Sequence, residues 1–337
     1  MVTIKYVDEG LEYEAIISEM DTANTIQKLV NKPSVGLIRI MGYGIPISRK
    51  ILVNNRTDLT IEGDGNGTLL KPMGDFDVFE FKAPLSRVIL SGMQFSDSLR
   101  EPKQKKSSMV SLNHSGNNGA INDLTIENIT MYYPFNGISS DFRNSDIDHG
   151  LQAPTIRHVR INEYRNRAIV LCNCFDGRFY DLLATQPKNY SEMGSGDGFT
   201  LTNSIDSGSQ LDMVTMLGQD KGAGFTFNNV THLTGNQLIA DTHFEGMITR
   251  NELDFAHFSL VELRSSSDQG LYACHSKGRL NIQQFTGRNN ANYHVKNLAK
   301  GGNITLSGGK VHETHKGIYS LVPGDIFEKI DGAPDYR

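Results

Sequence analysis

Two related stretches of the sequence differ at one position that matters for chemistry. They read GSGDGFTLTN at Gly194–Asn203 and DKGAGFTFNN at Asp220–Asn229, with Gly, Gly, Phe, Thr and Asn in the same register. The first stretch carries Asp197 where the second carries Ala223. A carboxylate that a repeat does without is a candidate for acid–base catalysis. A second candidate, Glu245, precedes the Gly of the next related stretch.

Stacked repeats would bring the residues at this position into one column. The column reads Asn136, Arg167, Asp197, Ala223, Glu245, Gln269 and Lys316. A turn that favours small polar residues explains such a column without any function. In the catalytic alternative, Asp197 and Glu245 lie two repeats apart, so their backbones are about 9 to 10 Å apart at the spacing of parallel strands. Carboxyl groups about 6.5 to 9.5 Å apart suit inverting glycoside hydrolysis. Arg167, one repeat from Asp197, would favour the charged form of that base.

The ends of the preceding strands supply a second cluster of residues suited to binding sugars. A second predicted column there reads Glu163, Thr185, Met216 and Asp241. We expect Asp241 and His243 to join Asp197 and Glu245 in catalysis, although Asp241 and His243 would also fit a simple turn hydrogen bond. The predicted substrate-binding residues are Glu163, Tyr164, Arg165, Arg167, Asp220 and Lys221. In a lyase, His243 or Lys221 would take the proton α to a uronate carboxylate held by Arg165 or Arg167.

Composition argues against several other classes of protein. The net charge is −5 with acids and bases interspersed, which predicts no nucleic-acid partner. No apolar run approaches the roughly 18 residues of a membrane span, and the first residues do not resemble a signal peptide. Three cysteines without regular spacing predict no disulfide framework. No metal-binding motif is visible and we predict no cofactor, with Ca²⁺ on scattered Asp as the open alternative.

The elements that must position these residues are short strands joined by many turns. The chain has 33 Gly, 10 Pro and no Trp. Segments of alternating apolar and polar residues recur every 21 to 26 residues in its later part, beginning at Gln210, Asn236, Ser259, Leu280 and Asn303. Leucine-rich repeats would need a helix in each repeat, and propeller blades about 40 residues. The period therefore predicts an all-β, single-stranded right-handed parallel β-helix.

The predicted division has three parts. Residues 1–50 form an N-terminal cap with a short helix and the first strand, residues 51–322 a β-helix of about ten rungs, and residues 323–337 a C-terminal tail. The cap helix is expected at Asp21–Lys32, with Asp21 or Thr22 as its N-cap and an apolar stripe facing the coil. Asn at strand ends suits left-handed bends, and the candidates are Asn203, Asn228, Asn229, Asn251 and Asn297.

The opening resembles that of the pectate-lyase-like proteins of the pectin-lyase superfamily. The resemblance is carried by DTANTIQKLV from Asp21, GYGIPISRKILVNN from Gly42 and LTIEGDGNGTLLKP from Leu59. It implies the β-helix fold and a carbohydrate-active protein, in a superfamily of polysaccharide lyases, hydrolases, uronan epimerases and bacteriophage tailspikes. The paired Asp and Gly-His-Gly of polygalacturonases and the Asp-Pro-His-Glu of alginate epimerases are missing, although residues 144–150 (NSDIDHG) have suitable types.

A tailspike needs no fixed motif, so the resemblance favours a tailspike-like polysaccharide depolymerase. We expect a bacterial surface or extracellular polysaccharide as substrate, cleaved by acid–base hydrolysis. A polysaccharide lyase, a non-catalytic glycan-binding tail protein, and an epimerase or transglycosylating enzyme on the same scaffold are the alternatives. The resemblance also implies a homotrimer, located in a virion tail or outside the cell.

Overall fold

The structure is a computed structural model that describes residues 1–114, 119–140, 150–187, 194–205, 207–298, 301–312, 318–320, 325–328 and 330–331. Within these ranges the chain forms 27 strands, one α-helix and one turn of 3-10 helix. None of its described helices is long and apolar enough to cross a membrane. All three cysteines are free thiols. The predicted column member Lys316, the stretch 144–149 and most of the tail lie outside the described residues.

The elements follow one another in short steps along the chain. The first part comprises β1 Val2–Asp8, β2 Leu11–Ile17, the 3-10 turn Glu19–Asp21, α1 Thr22–Val30, β3 Val35–Ile47, β4 Ile51–Pro72, β5 Phe79–Ser96, β6 Ser108–Asn113, β7 Ile121–Asn122, β8 Thr125–Tyr132 and β9 Asn136–Ser140. The middle part comprises β10 Leu151–Gln152, β11 Thr155–Asn162, β12 Arg167–Cys172, β13 Cys174–Phe175, β14 Arg178–Thr185, β15 Asp197–Ser204, β16 Gln210–Leu217, β17 Ala223–Thr231, β18 Thr234–Asp241 and β19 Glu245–Asp254. The last part comprises β20 Ala256–Arg264, β21 Gln269–Arg288, β22 Tyr293–Asn297, β23 Gly302–Leu306, β24 Gly309–His312, β25 Ile318–Ser320, β26 Ile326–Phe327 and β27 Ile330–Asp331.

From β3 onward the strands pair in parallel with strands of the preceding and following turns, which confirms the right-handed parallel β-helix. One sheet of the coil, called here the groove sheet, runs through β4, β5, β6, β9, β12, β15, β17, β19, β21, β22 and β25. The three-part domain division stays a prediction, although β3 already pairs in parallel with β4.

Apolar side chains stack in columns inside the coil. One buried column of the groove sheet reads Ile51, Phe79, Val110, Ile138, Ile169, Phe199, Phe225, Met247, Leu271, Val295 and Ile318. Each turn buries its apolar face only because the next turn covers it, so the stack is the unit of stability.

The recurring Gly of the groove sheet is required by close packing of the backbone. A Cβ at Gly198 would lie 2.4 Å from the carbonyl oxygen of Gly224, and a Cβ at Gly224 would lie 2.4 Å from the Cβ of Ala240. Such distances leave no room for a side chain, so the recurring Gly is explained by the close packing of the coil.

The N-terminal region covers the first turn of the coil. Helix α1 is present as predicted, and Ala23, Ile26 and Val30 pack into the core. Asp21 is the N-cap residue as predicted, but its side chain caps no helix N–H, because its carboxylate accepts a hydrogen bond from the Ser18 hydroxyl at 2.6 Å. An unpredicted hairpin of β1 and β2 adds to β3 in antiparallel fashion and covers its edge.

Left-handed bends account for some of the predicted asparagines. Asn203, Asn229 and Asn251 have φ values of 49°, 60° and 56°. Asn228 and Asn297 do not, which corrects the prediction for these two. Their side chains hydrogen-bond neighbouring turns instead: Asn228 donates to the Thr202 hydroxyl and Asn297 to the Asp325 carboxylate.

Candidate functional site

One column of the groove sheet, at the first residue of each of its strands from β9 to β22, brings three of the candidate residues together. Asn136 pairs with Arg167, Arg167 with Asp197, and Ala223 with Glu245. The pairing of Phe199 with Phe225, two residues further along their strands, sets Asp197 in register with Ala223. The predicted column is therefore confirmed up to Gln269. The next member of the column is Tyr293, which pairs with Gln269 and was not predicted from the sequence.

Arg167 and Asp197 form an ion pair at the surface of this sheet. Nε of Arg167 lies 3.7 Å from Oδ2 of Asp197, and it donates to the Ser195 hydroxyl at 3.3 Å. The side chains of Arg167 and Asp197 are 38% and 27% exposed, so both are accessible to a ligand.

Glu245 lies in a different environment, two turns further along the coil. Burial raises the pKa of its carboxyl to about 7, and the negative charges of Asp268 and Asp197 act in the same direction. Arg250 opposes them. Ala223, between the two carboxylates in the column, contributes only a methyl group and is itself buried. One carboxylate is thus paired with a cation, while the other holds its proton near neutral pH, which is the division of labour that acid–base catalysis needs.

Asp268 and Arg250 are site residues that sequence reasoning missed. Arg250 lies on the same strand as Glu245, and Asp268 lies just before the strand that pairs with it. The repeat register could have placed Arg250, since it pairs with Asn228 across β17 and β19.

Three predicted site residues are buried rather than exposed on the groove. The Tyr164 hydroxyl donates to the carbonyl of Gly196 at 3.2 Å and accepts a hydrogen bond from Gln186 at 2.9 Å. Burial raises the pKa of the Tyr164 hydroxyl. The Arg165 guanidinium, with its side chain 3% exposed, bonds to Asp97 at 2.5 Å. We therefore assign Tyr164 and Arg165 to the framework of the site.

His243 is also enclosed. Its Nδ1 lies 3.4 Å from the carbonyl oxygen of Lys221, and burial lowers the pKa of the imidazole to about 4. A Cβ at Gly218 would lie 2.6 Å from the Nδ1 of His243, so the ring fills space that this Gly leaves open. A completely buried ring cannot contact a polysaccharide, so His243 cannot serve as the base in the lyase alternative.

The remaining predicted residues surround the column without joining it. Asp220 and Lys221 are exposed in the turn before β17, and Glu163 is half-buried with a φ of 57°. Asp241 ends β18, where it accepts a hydrogen bond from the Thr242 hydroxyl at 3.0 Å.

The second predicted column is offset by one residue. Asp241 pairs with Leu217, which itself pairs with Thr185, whereas the predicted member Met216 pairs with Ala240 and is buried. The described residues contain no group of three or more His, Cys, Asp or Glu arranged to hold a metal ion.

Comparison with known proteins reveals likeness of fold only. No model of a known protein family matches the sequence, and no curated protein matches it. A mutant of the periplasmic alginate epimerase AlgG superposes with a TM-score of 0.55 at 10% identity, over 98% of this chain and 92% of the epimerase chain. A variant of the GH87 α-1,3-glucanase catalytic domain in complex with nigerose gives a TM-score of 0.51 at 11% identity, over 93% of this chain and 67% of the glucanase chain. The chain is thus similar in fold to two kinds of β-helix enzyme that process polysaccharides.

Proposed function

We propose that this protein cleaves glycosidic bonds of a polysaccharide by acid–base hydrolysis at the Asp197–Glu245 pair. The observation that carries the proposal is the contrast between the two carboxylates, which lie on one face of the groove sheet. Asp197 is ion-paired with Arg167, whereas the pKa of Glu245 is raised to about 7. Asp197 is the base that activates water and Glu245 the acid that protonates the leaving oxygen.

Two turns of the coil separate the backbones of Asp197 and Glu245 by about 9 to 10 Å. A two-turn backbone separation fits inversion, in which the carboxyl groups lie about 6.5 to 9.5 Å apart with a water molecule between base and sugar, whereas in retention they lie about 5 to 5.5 Å apart. The fold likeness to a glucanase and an epimerase supports a carbohydrate substrate.

The narrower identity is also part of the proposal. We propose a tailspike-like depolymerase of a bacterial surface or extracellular polysaccharide, acting as a homotrimer in a virion tail or outside the cell. This rests on the resemblance of the N-terminal motifs. Light scattering of the purified chain tests the trimer, and a monomer at working concentration would refute it.

Candidate polysaccharides tested with wild type, Asp197→Asn and Glu245→Gln check the reaction. We expect new reducing ends without unsaturated uronates, and loss of about 10²- to 10⁴-fold in each variant. Glu252→Gln, on the same strand but ion-paired with Lys277 at 3.2 Å, is the matched control and should remain active. Unsaturated products would mean a lyase. Full activity in both site variants would refute the site, and the absence of any cleavage would leave a glycan-binding protein.

A further inference from the structure

A polar cavity of about 550 Å³ opens on the groove sheet beside the candidate catalytic pair. It begins at the turn of the coil that carries Asp77 and Glu80 and ends at Arg167, the partner of Asp197. The three steps from β5 to β12 make it about 14 Å long. Its volume is typical of small-molecule sites, which measure about 300 to 1,000 Å³.

The cavity floor is made of hydroxyl and amide groups. Ser111 and Ser139 pair across β6 and β9, as do Ser108 and Asn136, and all four line the cavity. The Ser108 and Ser139 hydroxyls lie 2.5 Å apart. Such groups both donate and accept hydrogen bonds, which suits the hydroxyls of a sugar ring.

The two carboxylates at the far end are bound by their own neighbours. Glu80 forms an ion pair with Lys50 and accepts a hydrogen bond from Asn113 at 2.9 Å. Asp77 accepts the Ser108 N–H at 2.7 Å, and burial raises its pKa. The near end carries Lys106 and Arg167. Arg167 is paired with Asp197, but the Lys106 ammonium forms no ion pair with any residue that the structure describes, so the charge left over at this end of the cavity is positive.

The loop that carries Lys106 is fixed by hydrogen bonds to two carboxylates and a buried arginine. The Asp75 carboxylate accepts the N–H groups of Lys105 and Lys106 at 2.9 and 3.0 Å. Asp97 accepts the N–H of Gln104 at 3.0 Å, and the buried Arg165 bonds to both Asp97 and the Gln104 carbonyl. The part of the segment from Gln104 to Lys106 is therefore preorganised, with Lys106 in the cavity wall, and such rigidity lowers the entropic cost of binding.

We propose that this cavity is a subsite for an acidic sugar, whose carboxylate faces Lys106 and Arg167 and whose hydroxyls bond to the Ser and Asn floor. The inference rests on the proposed function and narrows its substrate class to carboxylate-bearing polysaccharides. The subsite lies one turn of the coil from Asp197, so a single extended glycan would occupy both.

The test is a binding experiment on the full chain carrying Glu245→Gln, applied to an array of uronate-containing, sialate-containing and neutral oligosaccharides. We expect binding to be confined to acidic members and to weaken as NaCl rises. The oligosaccharide that binds most strongly in the array is then titrated. Adding Lys106→Gln should raise its dissociation constant by about threefold to tenfold. Lys105→Gln is the matched control, since this neighbouring exposed lysine does not line the cavity.

Equal binding of neutral members, no binding at all, or equal effects of the two lysine variants would overturn the inference. Cleavage by the wild-type chain is measured separately. Lys106-dependent binding without cleavage would refute only the proposed function. Cleavage of a neutral glycan at the same rate by both lysine variants would refute only the subsite.

Discussion

Replacement of Glu245 by Gln should remove the alkaline limb of the pH–rate profile. At pH 7 a carboxyl with a pKa of 4.5 is protonated in about one molecule in 300, whereas a carboxyl with a pKa of about 7 is protonated in about half. Burial of Glu245, together with the neighbouring negative charges, therefore raises the population of the working acid roughly 150-fold at neutral pH. If Glu245 is the general acid, wild-type kcat/KM should fall about tenfold between pH 6 and pH 8.

The assay is the initial rate of reducing-end release across this pH range. Glu245→Gln should be slower throughout and should show no fall above pH 7. Asp268→Asn should move the limb to lower pH, because it removes a negative charge that raises the pKa of Glu245. Glu252→Gln should leave the limb in place. An unchanged limb in Glu245→Gln, or a limb that Asp268→Asn moves upward, would refute the assignment.

Three further predictions concern stability, each measured by denaturant unfolding. Gly198→Ala should cost about 1 to 3 kcal/mol because its Cβ would meet the Gly224 carbonyl, whereas Gly36→Ala, whose nearest atom is 3.7 Å away, should cost nothing. Arg165→Met should cost about 3 to 5 kcal/mol because it leaves the buried Asp97 without its cation; a cost below 1 kcal/mol would contradict this. Burial holds the pKa of His243 at about 4, against 6.5 for an ordinary histidine, so the unfolded chain takes up a proton at this residue before the folded chain does. The free energy of unfolding should therefore be unaffected by this residue above pH 6.5 and should fall by about 3 kcal/mol as the pH falls from 6.5 to 4. An equally steep loss in His243→Asn, measured with Glu245→Gln present in both chains, would contradict this origin.

The groove sheet was predictable because a parallel coil converts a sequence period into a spatial column. The Gly that opens most repeats, with Ala168 in its place after Arg167, fixes the register, so Arg167, Asp197 and Glu245 could be aligned from the sequence alone. The hairpin of β1 and β2 carries no such repeat, and its antiparallel pairing had no signal to reveal it.

The framework residues were missed because the chain changes direction at a single left-handed residue. Glu163, with a φ of 57°, turns the chain so that the next two side chains, Tyr164 and Arg165, point into the protein. Their polar character alone suggests a surface position. The acidic-sugar subsite depends on how the loop at 99–108 folds back onto Asp75 and Asp97, which is a contact between turns that no local pattern encodes.

The most direct test of the central claim is the configuration of the sugar end first released from the polysaccharide, followed by proton NMR before mutarotation. The wide spacing of Asp197 and Glu245 predicts inversion at the anomeric carbon. Retention of configuration, or an unsaturated end in place of a free anomer, would contradict the account.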